Sequence, residues 1–329
     1  MSTRTTTPRA ELHTHLGAAV SPAIMWSIAH RQGIRLPSKN YWDFEAMITM
    51  DDDERNQNLE EMHNNFFYWT ELIQSSPEAI KESVKAVIGG GYRKCNLVLQ
   101  ELRFNPMKRN RGGKRDLDHT IMAGIWGIEQ AILEYPKVKA GLILMMDRTL
   151  TLEQNKIILN KAIKYKNKGV VGIDLAGPNR RSYSMKKHAP LFAKAKRNGL
   201  GVTIHTGEGS NIKEMQFVVE QIKPQRIGHG IACVKDKKLM EKVRKNKITL
   251  ELCPTSNIKN SIIRNQVELK EILQTLWENK IKFTINTDGP EMYRTNIFEE
   301  QKKLLEAKML TRAQLQQTMR WAFAAAFIK

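Results

Sequence analysis

Eight short apolar runs recur along the chain, each followed by a stretch with helical periodicity, and this alternation restricts the fold more than any other feature. The runs are AELHTHL, CNLVLQELRF, KAGLILMMD, VVGIDLA, GVTIHT, RIGHGI, ITLELC and KFTINTD. Continuous apolar strands alternating with helices belong to parallel sheets covered on both faces. Between the runs, DLDHTIMAGIWGIEQAILEY spaces its apolar residues by three and four, and APLFAKAKRNG closes on Gly199, a natural helix stop. Eight such units in 329 residues predict an α/β fold of the (β/α)8 TIM barrel type. An open doubly wound sheet is the alternative, but a Gly-rich phosphate fingerprint after the first strand is missing.

One unit is oversized, from Gly17 to Lys94. SPAIMWSIAHRQG opens with Ser21 as N-cap and Pro22 at the first helical position, and it stops at Gly33. YWDFEAMI and NNFFYWTELI follow, both rich in aromatics. An insertion after a barrel strand sits at the C-terminal, catalytic face, so residues 17–94 predict a helical lid on a single domain spanning 1–329. A plain helical extension that packs its aromatics inward is the alternative.

The start, MSTRTTTPR, is polar and reads as a frayed arm with no secretory core, and no apolar run approaches the ~18 residues of a membrane span. Three widely spaced cysteines, Cys95, Cys233 and Cys253, argue against a disulfide framework and fit a cytoplasmic protein. The formal net charge is +19, yet lysine is spread over helical stretches such as VKDKKLMEKVRKNK. Distributed charge reads as a solvated surface, so nucleic acid is not the expected partner and a small molecule is.

The ends of the eight runs carry the chemistry. The first ends on His13 and His15, the fifth on His205 with Glu208 beyond it, the sixth on His229 and the eighth on Asp288. Strand residues two apart share a face, so His13 and His15 reach one point in space. Active sites of these barrels are assembled from the C-terminal ends of several strands. Imidazoles with a carboxylate suit a borderline-soft divalent ion, most simply zinc. The remaining histidines, His30, His63, His119 and His188, fall in helical or loop segments and are expected at the surface.

The blocks ELHTHL, VGIDLAG, VTIHTGE, RIGHGI, ELCPTSN and INTDGP, in this order, resemble the adenosine deaminase family of zinc hydrolases within the amidohydrolase superfamily. The resemblance covers nearly the whole chain. It implies that His13, His15, His205 and Asp288 hold one Zn2+, with Asp288 also part of the catalytic set. It implies further that Glu208 protonates purine N1, that His229 faces the attacking water, and that the Gly177 N–H bonds purine N3. Binuclear relatives carry a bridging lysine on the fourth strand; VVGIDLAG has none, which favours a single ion. The chemistry matches the residue types, because replacing an aromatic amine by water needs hydroxide near neutral pH and a proton on the ring nitrogen.

Two positions depart from the family pattern, and both concern substrate. Family members commonly place an aspartate for the ribose 5′ hydroxyl where this chain has Gly17. They also commonly carry a second aspartate, facing purine N7, where this chain has Gly289. Losing a carboxylate at the 5′ end makes room for an anion. Basic loops follow the second run (Lys108, Arg109, Arg111, Lys114, Arg115) and the fourth (Arg180, Arg181). Guanidiniums suit carboxylate or phosphate. The expected substrate is therefore adenosine or a 5′-modified, anionic adenosine derivative. Deamination of adenine or aminodeoxyfutalosine by another mononuclear amidohydrolase stays open, as does a catalytically silent, basic nucleic-acid-binding barrel.

Overall fold

Every strand pairing in the computed structural model is parallel. The structure describes residues 7–51, 55, 66–110, 116–180, 183–209 and 211–329. His63, Arg111, Lys114, Arg115 and Arg181 lie outside these described residues. Seven of the eight apolar runs form one strand each: β1 (Arg9–His15), β2 (Leu97–Phe104), β3 (Lys139–Asp147), β4 (Val170–Ala176), β7 (Arg226–His229), β8 (Thr249–Leu252) and β9 (Phe283–Ile285). The fifth run forms two, β5 (Gly201–Val202) and β6 (His205–Thr206). Thr203 interrupts it, still bonding its N–H to the Ile173 carbonyl at 3.1 Å.

Two sheets result, ordered β1-β2-β3-β4-β5 and β6-β7-β8-β9. They join through the chain at Thr203 and Ile204. At the other seam His15 N–H donates to the Asp288 carbonyl at 2.8 Å, and Asp288 N–H donates to that of His13 at 2.9 Å. The sheet therefore closes into the (β/α)8 barrel that the runs predict. Its closing seam passes directly through three residues of the histidine–aspartate cluster, His13, His15 and Asp288.

The barrel interior is unusually ionic at its centre. Arg103, Arg226, Glu101, Asp174 and Glu251 are all fully buried there. At the N-terminal end of the barrel the chain terminus closes the opening. Phe327 lies against Gly172 and Gly201, where any side chain would collide with its ring. Its ring also stacks on Arg226, with the guanidinium carbon 3.6 Å from the ring centroid.

Helix boundaries follow local chemistry. The helix Pro22–Arg31 starts at its proline, although the Ser21 hydroxyl makes no capping bond, and the chain turns at Gly33 with φ +64°. The helix Pro77–Cys95 is capped by Ser76 and packs along Leu117–Glu134. Gly127 permits that contact, since a Cβ there would stand 2.7 Å from the Lys81 carbonyl oxygen. The helix Met185–Arg197 ends just before Gly199, φ +78°. His30 and His119 are exposed, as expected, but His188 is not. It is buried with Nε2 3.2 Å from Asn155 Nδ2 and Nδ1 2.9 Å from the Ser184 carbonyl, because its helix turns this face onto the neighbouring helix Leu152–Tyr165. No helix among the described residues is long and apolar enough to cross a membrane.

Candidate metal and active site

His13 and His15, two apart at the end of β1, turn their rings to the same place. His13 Nε2 lies 3.7 Å and His15 Nε2 3.3 Å from Asp288 Oδ1, across the closing seam. His205, at the start of β6, brings its Nε2 to 3.1 Å from His15 Nε2. His13, His15 and Asp288 offer ligand atoms within 4.8 Å of one another, and so do His13, His205 and His229. His13 Nε2 is buried and has no hydrogen-bond partner among the described residues.

The opposite ring nitrogens are fastened. His13 Nδ1 is 2.7 Å from Glu251 Oε2, and His205 Nδ1 is 2.9 Å from Asp174 Oδ2. Such carboxylate–histidine pairs fix the ring and leave Nε2 as the ligand atom. Arg103 ties the two carboxylates together, at 2.9 Å from Asp174 and 2.8 Å from Glu251. Burial, reinforced by the Arg103 charge and the neighbouring imidazoles, holds His13 and His15 well below the usual histidine range. Burial alone raises Asp174, but His205 and Arg103 outweigh it and hold its carboxyl far below the ordinary value. Neutral imidazoles and an ionised second layer are what a metal site requires. The donor set fits a divalent ion.

His229 and Asp288 share a second property. Both adopt left-handed backbone, φ +60° and φ +65°, at the ends of β7 and β9. A non-glycine residue there costs about 1–2 kcal/mol, and such strain concentrates at functional sites. His229 Nδ1 is held by Asn257 Nδ2 at 2.9 Å, and its Nε2 faces Glu208 Oε1 at 3.6 Å. Ser256 donates to Asp288 Oδ2 at 2.6 Å. His229, Glu208 and Asp288 line a cavity of about 330 Å³ at the C-terminal mouth, with Phe67 and Glu71 from the long insertion on its wall.

The substrate-side expectations divide. Gly177 lines the cavity with φ +86°, and a Cβ there would meet the Asp147 carboxylate at 2.6 Å. Gly17 also lines it; a Cβ there would stand 3.1 Å from Thr70 Oγ1 and 3.3 Å from Arg109 Nη2. Of the basic residues, Lys108 and Arg109 reach the cavity, joined by Arg148. Lys108 pairs with Asp147 at 2.6 Å, and Arg109 donates to Gln74 at 2.9 Å. Arg180 is exposed and outside the lining, because the cavity wall is formed by Gly177, Pro178 and Asn179 just before it. Gly289 is outside it as well, with its N–H turned back onto the Thr287 carbonyl at 2.8 Å.

Sequence reading missed the layer behind the ligands: Arg103, Asp174 and Glu251. A signal for them exists. Each is a charged residue inside an otherwise apolar parallel strand, a position where an unpaired charge is prohibitive.

A closed parallel barrel with this cluster at its strand ends defines a hydrolase of the amidohydrolase type. The sequence model described as adenosine deaminase matches residues 8–329, and the chain belongs to that family, whose members act on a purine amine. It is 29% identical to adenosine deaminase from Clostridium kluyveri, over 89% of this chain and 82% of that one. Among solved structures, the ADAL–IMP complex is 25% identical with a TM-score of 0.83, covering 98% of this chain and 92% of that one. An amidohydrolase from Burkholderia ambifaria with bound Zn has a TM-score of 0.83 at 17% identity, covering 98% and 86%.

Proposed function

We propose that this chain hydrolyses the 6-amino group of an adenosine bearing a 5′ anion, phosphate in the first instance, with one zinc ion. The observation that carries the reading is the pocket wall at Gly17. Where family members commonly present a carboxylate, this wall has no side chain. Behind it stand Arg109 and the Thr70 hydroxyl, which is buried without a hydrogen-bond partner among the described residues. Lys108, paired with Asp147, lines the same cavity. A guanidinium and a hydroxyl around a gap suit a phosphate, and a carboxylate at position 17 would repel one. The similar ADAL structure holds IMP, a 5′-phosphorylated 6-oxo purine.

His13, His15, His205 and Asp288 would hold the zinc. When bound, the ion lowers the pKa of a water toward neutrality, supplying hydroxide without strong base. Glu208 protonates N1, so that negative charge does not build in the ring as C6 becomes tetrahedral. His229, oriented by Asn257, positions the attacking water and accepts its proton. The Gly177 N–H bonds N3; only a glycine fits there, with Asp147 against it. A C6–O bond forms, the C6–N6 bond breaks as the amine takes the proton held by His229 and leaves as ammonia, and the second proton of the water restores Glu208. The aromatic insertion, through Phe67, covers the mouth and limits water.

The test is kcat/KM of the zinc-loaded enzyme on AMP and on adenosine, followed by the absorbance change from 6-amino to 6-oxo purine. AMP is expected to exceed adenosine at least tenfold, and Arg109→Ala to erase most of that preference. A preference for adenosine overturns the anion reading.

A further inference from the structure

We propose that Asn260 is a specificity residue for the 6-amino edge of the purine, its side-chain carbonyl accepting a hydrogen bond from the substrate's N6–H. The inference rests on the 6-aminopurine reading above, not on the 5′ anion.

It starts from the missing carboxylate. Purine recognition at the edge carrying N6 and N7 is commonly served in this family by a second aspartate, and here Gly289 stands in its place. No side chain fits at that position: a Cβ would lie 2.6 Å from the Ala18 Cβ. The adjoining space is taken by Tyr293, whose Cε2 is 3.4 Å from the same point. Polar contact with this edge must therefore come from another element.

Asn260 is that element. It sits at the end of the helix Pro254–Lys259, which follows β8, and shares the cavity wall with Glu208, His229 and Asp288. Its amide nitrogen is fixed, donating to Tyr293 Oη at 2.8 Å and to Ser256 Oγ at 3.3 Å. Ser256 in turn donates to Asp288, so the amide is registered against the cluster through one hydroxyl. The carbonyl half behaves differently. Asn260 is 5% exposed, and its Oδ1 has no hydrogen-bond partner among the described residues. A buried, unpaired carbonyl is costly and uncommon, which points to a donor supplied by the ligand. The adenine edge presents an N6–H donor, which a side-chain carbonyl can accept; both amide hydrogens are already placed on Tyr293 and Ser256, so the contact is to N6–H and not to N7.

The experiment compares two leaving groups. Wild type and Asn260→Leu are assayed on 6-amino- and 6-chloropurine ribonucleosides, each also as the 5′-monophosphate. The chloro substrate offers no N–H, and its hydrolysis releases chloride. The variant is expected to lose about tenfold more kcat/KM on the amino than on the chloro substrate, the value of one hydrogen bond. Comparison at a fixed 5′ group removes any effect of the anion. Tyr293→Phe, which loosens the amide but keeps its carbonyl, is expected to lower both substrates alike. Equal losses with Asn260→Leu, or no loss, overturn the inference and leave Asn260 a support for Tyr293 and Ser256. Should that variant not fold, Asn260→Ala is judged by the same ratio. Wild-type inactivity on all four substrates overturns the reaction reading, and this inference with it.

Discussion

Restoring a carboxylate at position 17 tests the anion reading most directly. Gly17 does not have left-handed backbone, so Gly17→Asp is not excluded by conformation. The new Cβ comes to 3.1 Å from Thr70 Oγ1 and 3.3 Å from Arg109 Nη2, contacts that flexible side-chain ends relieve by small shifts. Two unit charges about 5 Å apart interact by about 3 kcal/mol at an effective dielectric of 20. A 5′ phosphate beside the introduced carboxylate meets repulsion of this order, and Arg109 gains a competing partner. About 3 kcal/mol is about a hundredfold in kcat/KM. Adenosine carries no such charge, and its 5′ hydroxyl can donate to the carboxylate. The AMP-to-adenosine ratio is therefore expected to fall about a hundredfold, measured by absorbance at fixed zinc content. A ratio within threefold of wild type, in a variant with unchanged melting temperature, refutes the placement of the anion at this wall.

Asp174→Asn takes the ionised partner from His205 Nδ1, and zinc affinity measured against a chelating dye is expected to fall 10–100-fold. Arg103→Met takes the shared guanidinium from two buried carboxylates, leaving Asp174 with His205 alone and Glu251 with Arg226 and His13, and a loss of about 3 kcal/mol is expected in urea denaturation. Phe327→Ala opens the N-terminal end of the barrel; its ring is only partly buried, so about 2 kcal/mol is expected, below the full cost of a core phenylalanine. Burial pushes the Glu11 carboxyl up to about 8 from 4.5, so the folded state binds a proton that the unfolded state releases. Stability should thus fall as pH rises through that window, and Glu11→Gln should flatten the slope in melts taken at several pH values.

The barrel and its cluster were legible because each left a local signature. Period, strand-end position and two-residue spacing are properties of single segments, and the β1 histidines meet Asp288 wherever the barrel closes. The second layer is pairwise and non-local. Glu251 meets His13 across 238 positions, and nothing in ELC by itself says which imidazole it serves. Arg180 stands outside the cavity lining for a related reason. A loop after a strand is on the right face, but two or three residues decide whether a side chain turns inward, and Gly177 to Asn179 already fill the wall. His188 failed because one buried histidine in a basic helix, KKHAPLFAKAK, looks like its solvated neighbours.

The buried ions explain why the cluster asks for a cation. Glu101 pairs with Arg226, Arg226 with Glu251, Glu251 with Arg103 and Arg103 with Asp174, all fully buried. Along this line three carboxylates face two guanidiniums, which leaves one net negative charge. His13 and His15, kept neutral by burial, add nothing. Asp288, when ionised, brings the total to two negative charges in a region where unpaired charge is costly. A divalent ion at the ring nitrogens cancels that total, whereas a proton on one histidine would cancel only half. The same charge count links the two ends of the barrel: Phe327 on Arg226 and the imidazole of His205 on Asp174 bracket a single chain of ion pairs. Chelation should therefore lower the melting temperature of wild type more than that of a variant in which Asp288→Asn has already removed one of the two charges.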